Sequence, residues 1–96
     1  MNETISAERL REVLDYNPET GEFTWKIATG RRVRVGGRAG TVSAKGYIVI
    51  KVFNINYQAH RLAWVHVYGV WPEKELDHSN RLRSDNSINN LRLSTT

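Results

Sequence analysis

The chain has 96 residues, 40% of them hydrophobic and 25% charged, with no cysteine and a formal net charge of +4. That length allows one small core, and no apolar run approaches the roughly 20 residues of a membrane span. Without cysteine there is no disulfide or thiolate–zinc site; with an N-terminus unlike a secretion signal, a cytoplasmic location is the expectation.

Residues 6–14 predict a first helix. Ser6 can cap its N-terminus, Leu10, Val13 and Leu14 share one face, and Glu8, Arg9, Arg11 and Glu12 lie outside. About three turns are marginal alone, so this helix must dock on the rest. Asn17-Pro18-Glu19-Thr20-Gly21 is a turn, with proline presetting φ and glycine free to take φ > 0. Phe23 and Trp25 alternate with Glu22, Thr24 and Lys26, a half-buried strand that pairs back on Tyr16 as a hairpin. Residues 28–38 form a glycine-bounded basic loop or ribbon; Val33 and Val35 alternate with Arg32 and Arg34, which predicts a strand with its arginines in water.

Thr41-Val42 predicts a short strand, Ala44-Lys45-Gly46 a turn, and residues 47–53 a strand rich in β-branched and aromatic side chains. Tyr47, Val49 and Phe53 are candidates for its packed face. Asn54-Ile55-Asn56 turns the chain and Tyr57 begins the return. Residues 60–68 predict a second helix, with Leu62 and Val65 inward alongside Ala59 and Trp64, and Gly69 as its stop. Trp64 and Trp71 are read as core and His66 as structural. The whole is one α+β domain, a small antiparallel sheet with two short helices. Residues 1–56 give an N-terminal helix and a β-rich basic part; residues 57–96 give a helix and the chemistry.

Charge is unevenly spread. Residues 1–22 carry net −4, residues 23–72 carry net +8 with no carboxylate, and residues 73–96 balance. The middle stretch is either a phosphate-facing surface or the solubilising face of a small basic protein. Arg31, Arg32, Arg34 and Arg38 suit bidentate contact with phosphates or guanine edges, or belong to a solvated loop.

The densest chemistry lies at residues 76–96. Asp77 and His78 stand side by side, a polar turn-forming run follows over residues 79–90, and then comes Leu91-Arg92-Leu93. This predicts a strand ending in Asp-His, a long loop and a second strand pairing back on the first, with Ser94 as the N-cap of a following helix. Asp77 can hold a divalent cation and His78 can take a proton from water, the minimum for metal-assisted phosphodiester cleavage.

Asp77-His78, then Asp85-Asn86, then Asn89-Asn90-Leu91-Arg92 resembles the HNH endonucleases, in particular their phage homing-type branch. Gly46-Tyr47-Ile48, Tyr57-Gln58-Ala59-His60-Arg61-Leu62-Ala63-Trp64 and Asn17-Pro18-Glu19-Thr20-Gly21 fit the same branch, so the resemblance covers residues 14–95. It implies a C-terminal ββα-metal (His-Me finger) motif and a metal-dependent endonuclease that nicks or cuts double-stranded DNA. Asp77 would be a ligand of magnesium, or of manganese in its place. His78 would be the general base. Asn90, twelve positions on, would hold the loop and orient the His78 imidazole. His60 would play a supporting part, and Asp85 and Asn86 would shape the turn. Arg61, Arg81, Arg83 and Arg92 would contact phosphates, beside the basic ribbon.

The resemblance also implies a phage- or prophage-encoded protein acting in the cytoplasm of a bacterial host. The family's second protein ligand lies on a closing helix, which falls beyond Thr96. The motif is therefore expected to be incomplete, either as part of a longer protein or as a product that has lost part of its site. The alternative function is a basic DNA-binding module without turnover.

Overall fold

The computed structural model describes residues 5–94. In chain order the elements are α1 (Ala7–Val13), β1 (Leu14–Tyr16), β2 (Phe23–Trp25), β3 (Arg38–Ala39), β4 (Thr41–Val42), β5 (Ile48–Val52), β6 (Ile55–Gln58), α2 (Ala59–Tyr68), β7 (Leu76–His78), a 3-10 turn (Ile88–Asn90) and β8 (Leu91–Leu93). The fold is α+β. Its described strands form three small antiparallel sheets, ordered β1-β2-β3, β4-β5-β6 and β7-β8.

Ser6 caps α1 by accepting from the Arg9 amide at 3.1 Å, and Leu10 and Val13 are fully buried. The helix runs straight into β1, whose Leu14 and Tyr16 pair with Trp25 and Phe23. Between them the Asn17–Gly21 turn closes with Gly21 at φ 81°, a backbone that glycine adopts without strain. Helix α2 ends as its sequence dictates: Gly69 is left-handed and its amide bonds Val65 O at 2.8 Å. Leu62, Ala63 and Val65 of α2 meet Leu10, Val13, Phe23, Ile50 and Val52 in one core. Arg11 Nε donates to His66 O at 3.0 Å and His66 Nε2 bonds Leu14 O at 3.1 Å, so His66 ties the two helices together.

Several expectations are corrected. The basic run around Val33 and Val35 is not a strand: Val33 N bonds Gly30 O, Gly37 N bonds Arg34 O, and Val35 is 65% exposed. Local turns close at its glycines, and the chain reaches β2 only from Gly36 on: Gly36 N bonds Trp25 O, Trp25 N bonds Gly37 O, and Arg38–Ala39 pair with Thr24 and Phe23. On β5 the packed face is Ile50 and Val52, while Tyr47 and Val49 are half-buried and Phe53 is 44% exposed. The Tyr47–Val49 face also carries Lys51, so it stays toward water, while the wholly apolar face of Ile48, Ile50 and Val52 goes inward against α2. Trp25 is the deeply buried tryptophan, whereas Trp64 and Trp71 are half-buried. No described helix is long and apolar enough to cross a membrane. Ser94 N bonds Glu75 O, extending the last ladder, and a helix capped by Ser94 lies outside the described residues.

Candidate active site

The two-stranded ribbon β7-β8 sets Asp77 opposite Arg92 and His78 opposite Leu91. Leu76 and Leu91 are buried beneath it, which fixes the ribbon against the core and turns Asp77 outward. His78 is half-buried at the strand's end. Asp77 and His78 share a cleft of about 270 Å³ with Tyr47, Arg81 and Arg83. An adjoining hollow of about 240 Å³ on the other side of Tyr47 and Leu76 is lined by Gln58, His60, Arg61 and Glu75.

The loop joining the two strands is stitched by its own amides. Asn80 Oδ1 accepts from Leu82 N, Asn80 Nδ2 donates to Asp85 Oδ2, and Asp85 Oδ1 accepts from the Ser87 hydroxyl at 2.8 Å. Those donors, Ser87 first, hold the Asp85 carboxyl below its ordinary value. Asn90 spans the loop: its Oδ1 accepts from Asn80 N at 3.0 Å and its Nδ2 donates to Asp85 O at 2.8 Å.

Asn90 thus bonds within the loop and not, as the resemblance implied, to the imidazole. That contact belongs to Asn86, whose Oδ1 lies 2.8 Å from His78 Nε2 and which is only 2% exposed. An amide oxygen only accepts, so Nε2 carries the hydrogen and the Nδ1 lone pair is left to accept a proton. Asn86 is itself clamped by the N-terminal hairpin. Tyr16 Oη donates to its carbonyl, and Gly21 packs so closely that a Cβ there would collide with the Asn86–Ser87 backbone. Ile88 N bonds Pro18 O at 2.9 Å. Burial first, and then the Asp85 charge, push the Tyr16 phenol well up, which keeps it a donor.

The other side of the His78 ring meets two more rings. His60 stands edge-on at 5.0 Å between centroids, and Tyr47 lies 6.2 Å away. His60 is 5% exposed and its Nδ1 has no hydrogen-bond partner. Burial, then His78 and Arg61, lower its pKa to about 4, so it is a neutral packing partner.

The expected arginines divide into groups. Arg81 and Arg83 line the His78 cleft; Arg83 stacks over Tyr47 at 4.9 Å and donates to Lys45 O at 2.7 Å. Arg61 lines the adjoining hollow and reaches over the Trp71 ring at 6.0 Å, and Arg92 is exposed across the ribbon from Asp77. Arg31 and Arg32 line a separate cavity. Arg34 is exposed, and Arg38 pairs with Glu22 at 3.6 Å.

The donors fit a cation in part. Asp77 presents an exposed carboxylate, the oxygen ligand magnesium prefers, and magnesium keeps several waters and takes substrate phosphate oxygens. Among the described residues no cluster of three His, Cys, Asp or Glu side chains stands close enough to hold an ion.

Asn86 and Tyr47 are the site residues that sequence reasoning assigned elsewhere. The loop holds asparagines at 80, 86, 89 and 90 with the same local chemistry. Only the clamp by Tyr16 and Gly21 singles out Asn86.

No curated protein and no solved structure matches the chain. A family model described as HNH endonuclease matches residues 57–96, the stretch that holds α2, both strands of the ribbon and the asparagine loop. Residues 57–96 are thus similar to the HNH endonuclease family, nucleases that act on DNA and generally use a divalent metal.

Proposed function

We propose that this protein is a metal-dependent endonuclease that hydrolyses phosphodiester bonds in double-stranded DNA. The observation that carries the reading is the His78 imidazole, held through Nε2 by the buried Asn86 amide at the mouth of a cleft shared with Asp77 and two arginines. His78 Nδ1 accepts the proton of a water as its oxygen bonds to phosphorus. The bond from phosphorus to the leaving 3′ oxygen then breaks, and solvent protonates that oxygen. Arg81 and Arg83 hold the phosphate, Arg83 with its plane fixed on Tyr47. Arg61 and Arg92 contact flanking phosphates, and Arg31, Arg32, Arg34 and Arg38 contact the duplex further away. Asp77 would hold a divalent cation, magnesium in first place, which would supply positive charge against the negative charge that builds in hydrolysis. Asn90 keeps the loop closed under the ring.

The test is supercoiled plasmid with magnesium, beside the His78→Ala variant and a chelator control. Nicking that disappears in both controls is expected. An intact plasmid over a wide protein range would sink the hydrolytic reading.

Among the described residues Asp77 is the one carboxylate that lines the His78 cleft, which favours a second reading, a basic DNA-binding module without turnover. An intact plasmid together with affinity that falls steeply with salt would identify it.

A further inference from the structure

A further cavity lies apart from the His78 cleft. It has about 520 Å³ and lies between the 29–33 loop and the outward face of the β4-β5-β6 sheet. That volume falls within the roughly 300–1,000 Å³ of small-molecule sites. Its apolar lining comes from Trp25, Val33, Val49 and Phe53, its cations are Arg31, Arg32 and Lys51, and no carboxylate lines it. None of the three cations is in an ion pair; among the described residues the ion pairs are Arg9–Glu12 and Arg38–Glu22. Asn54 and Asn56 add amides at the rim.

Phe53 is the odd residue there. With Asn54 it forms the two-residue turn between β5 and β6, both at positive φ (50° and 68°). Such turns favour asparagine and glycine; a bulky side chain in the left-handed region is strained. Burial does not repay that strain, because Phe53 is 44% exposed. One side of its ring faces the Arg9 guanidinium at 5.1 Å. Strain held at an exposed aromatic beside unpaired cations is what a ligand clamp presents.

We propose that this cavity takes one unpaired nucleotide of the bound DNA, its base against Phe53 and the apolar floor and its phosphate on Arg31, Arg32 and Lys51. A cavity with an apolar interior, amides at its rim and three cations without a counter-charge matches base, base edge and phosphate in turn. Tyr47, which lines the His78 cleft, and Phe53 stand at opposite ends of β5. Six residues of extended chain put the two sites about 20 Å apart, on the order of six nucleotides. The inference rests on the nuclease reading for its choice of DNA as the ligand.

The test uses the full chain with chelator present, so that no DNA is cut. Affinity is measured for a short duplex carrying one unpaired thymidine and for the same duplex fully paired. The unpaired form is expected to bind about tenfold more tightly, within the reach of one stacked base. Phe53→Gly should abolish that preference while the melting temperature holds or rises, since glycine relieves the positive φ. Lys51→Ala should weaken it, and His78→Ala should leave it intact. Equal affinity for the two duplexes, or a preference that survives Phe53→Gly, would overturn the proposal. So would an oligoglutamate peptide that displaces the unpaired duplex as well as unlabelled DNA does, since the cavity would then be a protein-docking site. Plasmid nicking with equal affinities removes the cavity proposal alone; a preference without nicking removes the hydrolytic reading and leaves the cavity standing.

Discussion

Two asparagines in one loop divide the work of holding His78. Asn86 touches the imidazole, and Asn90 touches only the loop backbone and the Asn80 amide. Their alanine variants should therefore differ in kind. Asn86→Ala leaves the ring free to rotate and change tautomer, and nicking should fall by about 10–100-fold with DNA affinity unchanged, the usual cost of losing a group that orients a reactive ligand. Asn90→Ala strands a backbone donor and a backbone acceptor, and should destabilise the fold by about 1–3 kcal/mol in urea denaturation, with activity lost as a consequence. His60 carries a further residue-scale expectation. The folded protein keeps it neutral down to about pH 4, whereas the unfolded chain protonates it near its ordinary 6.5. Stability is thus fully present above pH 6.5, drains as pH falls, and levels off near pH 4. The loss from His60 is about 3 kcal/mol, and His66, lowered mainly by burial, adds in the same direction. Urea midpoints across this range check the slope, and replacing His60 with phenylalanine should flatten it.

At the scale of elements, the N-terminal hairpin is the brace of the candidate site. Its turn presses Gly21 on the Asn86–Ser87 backbone, and Tyr16 and Pro18 bond the same segment. Gly21→Ala combines a left-handed φ with a backbone collision, so the protein should lose roughly 2–4 kcal/mol, read from thermal or urea unfolding. The surviving folded fraction should nick poorly, because the loop that carries Asn86 must shift. The brace lies outside residues 57–96, so the family segment depends on the part of the chain before it.

For the whole molecule, positive charge is the largest-scale feature, and the fold spreads it along one sheet face. Tyr47 and the His78 cleft stand at one end of β5, and Arg31, Arg32 and Lys51 gather round its other end. DNA affinity should fall linearly on a log–log plot against salt. Replacing Arg31 and Arg32 together with alanine should reduce that slope by about 2 without changing which strand is nicked. A slope that stays the same would place the DNA elsewhere.

The local sequence determined most of the elements and several of their ends, where the causes are local. Ser6 caps, Gly21 and Gly69 take positive φ, and alternation runs through Phe23–Trp25 and Ile48–Val52. The adjacency of Asp77 and His78 was legible for the same reason. What the tertiary structure alone decided are choices between locally equivalent options. Those are whether the Val33–Val35 run finds a partner and which asparagine meets His78. Each depends on residues far away in sequence, as when Tyr16 and Gly21 fix Asn86 from the other end of the chain. Composition and spacing carry no record of such contacts; only close packing selects among them.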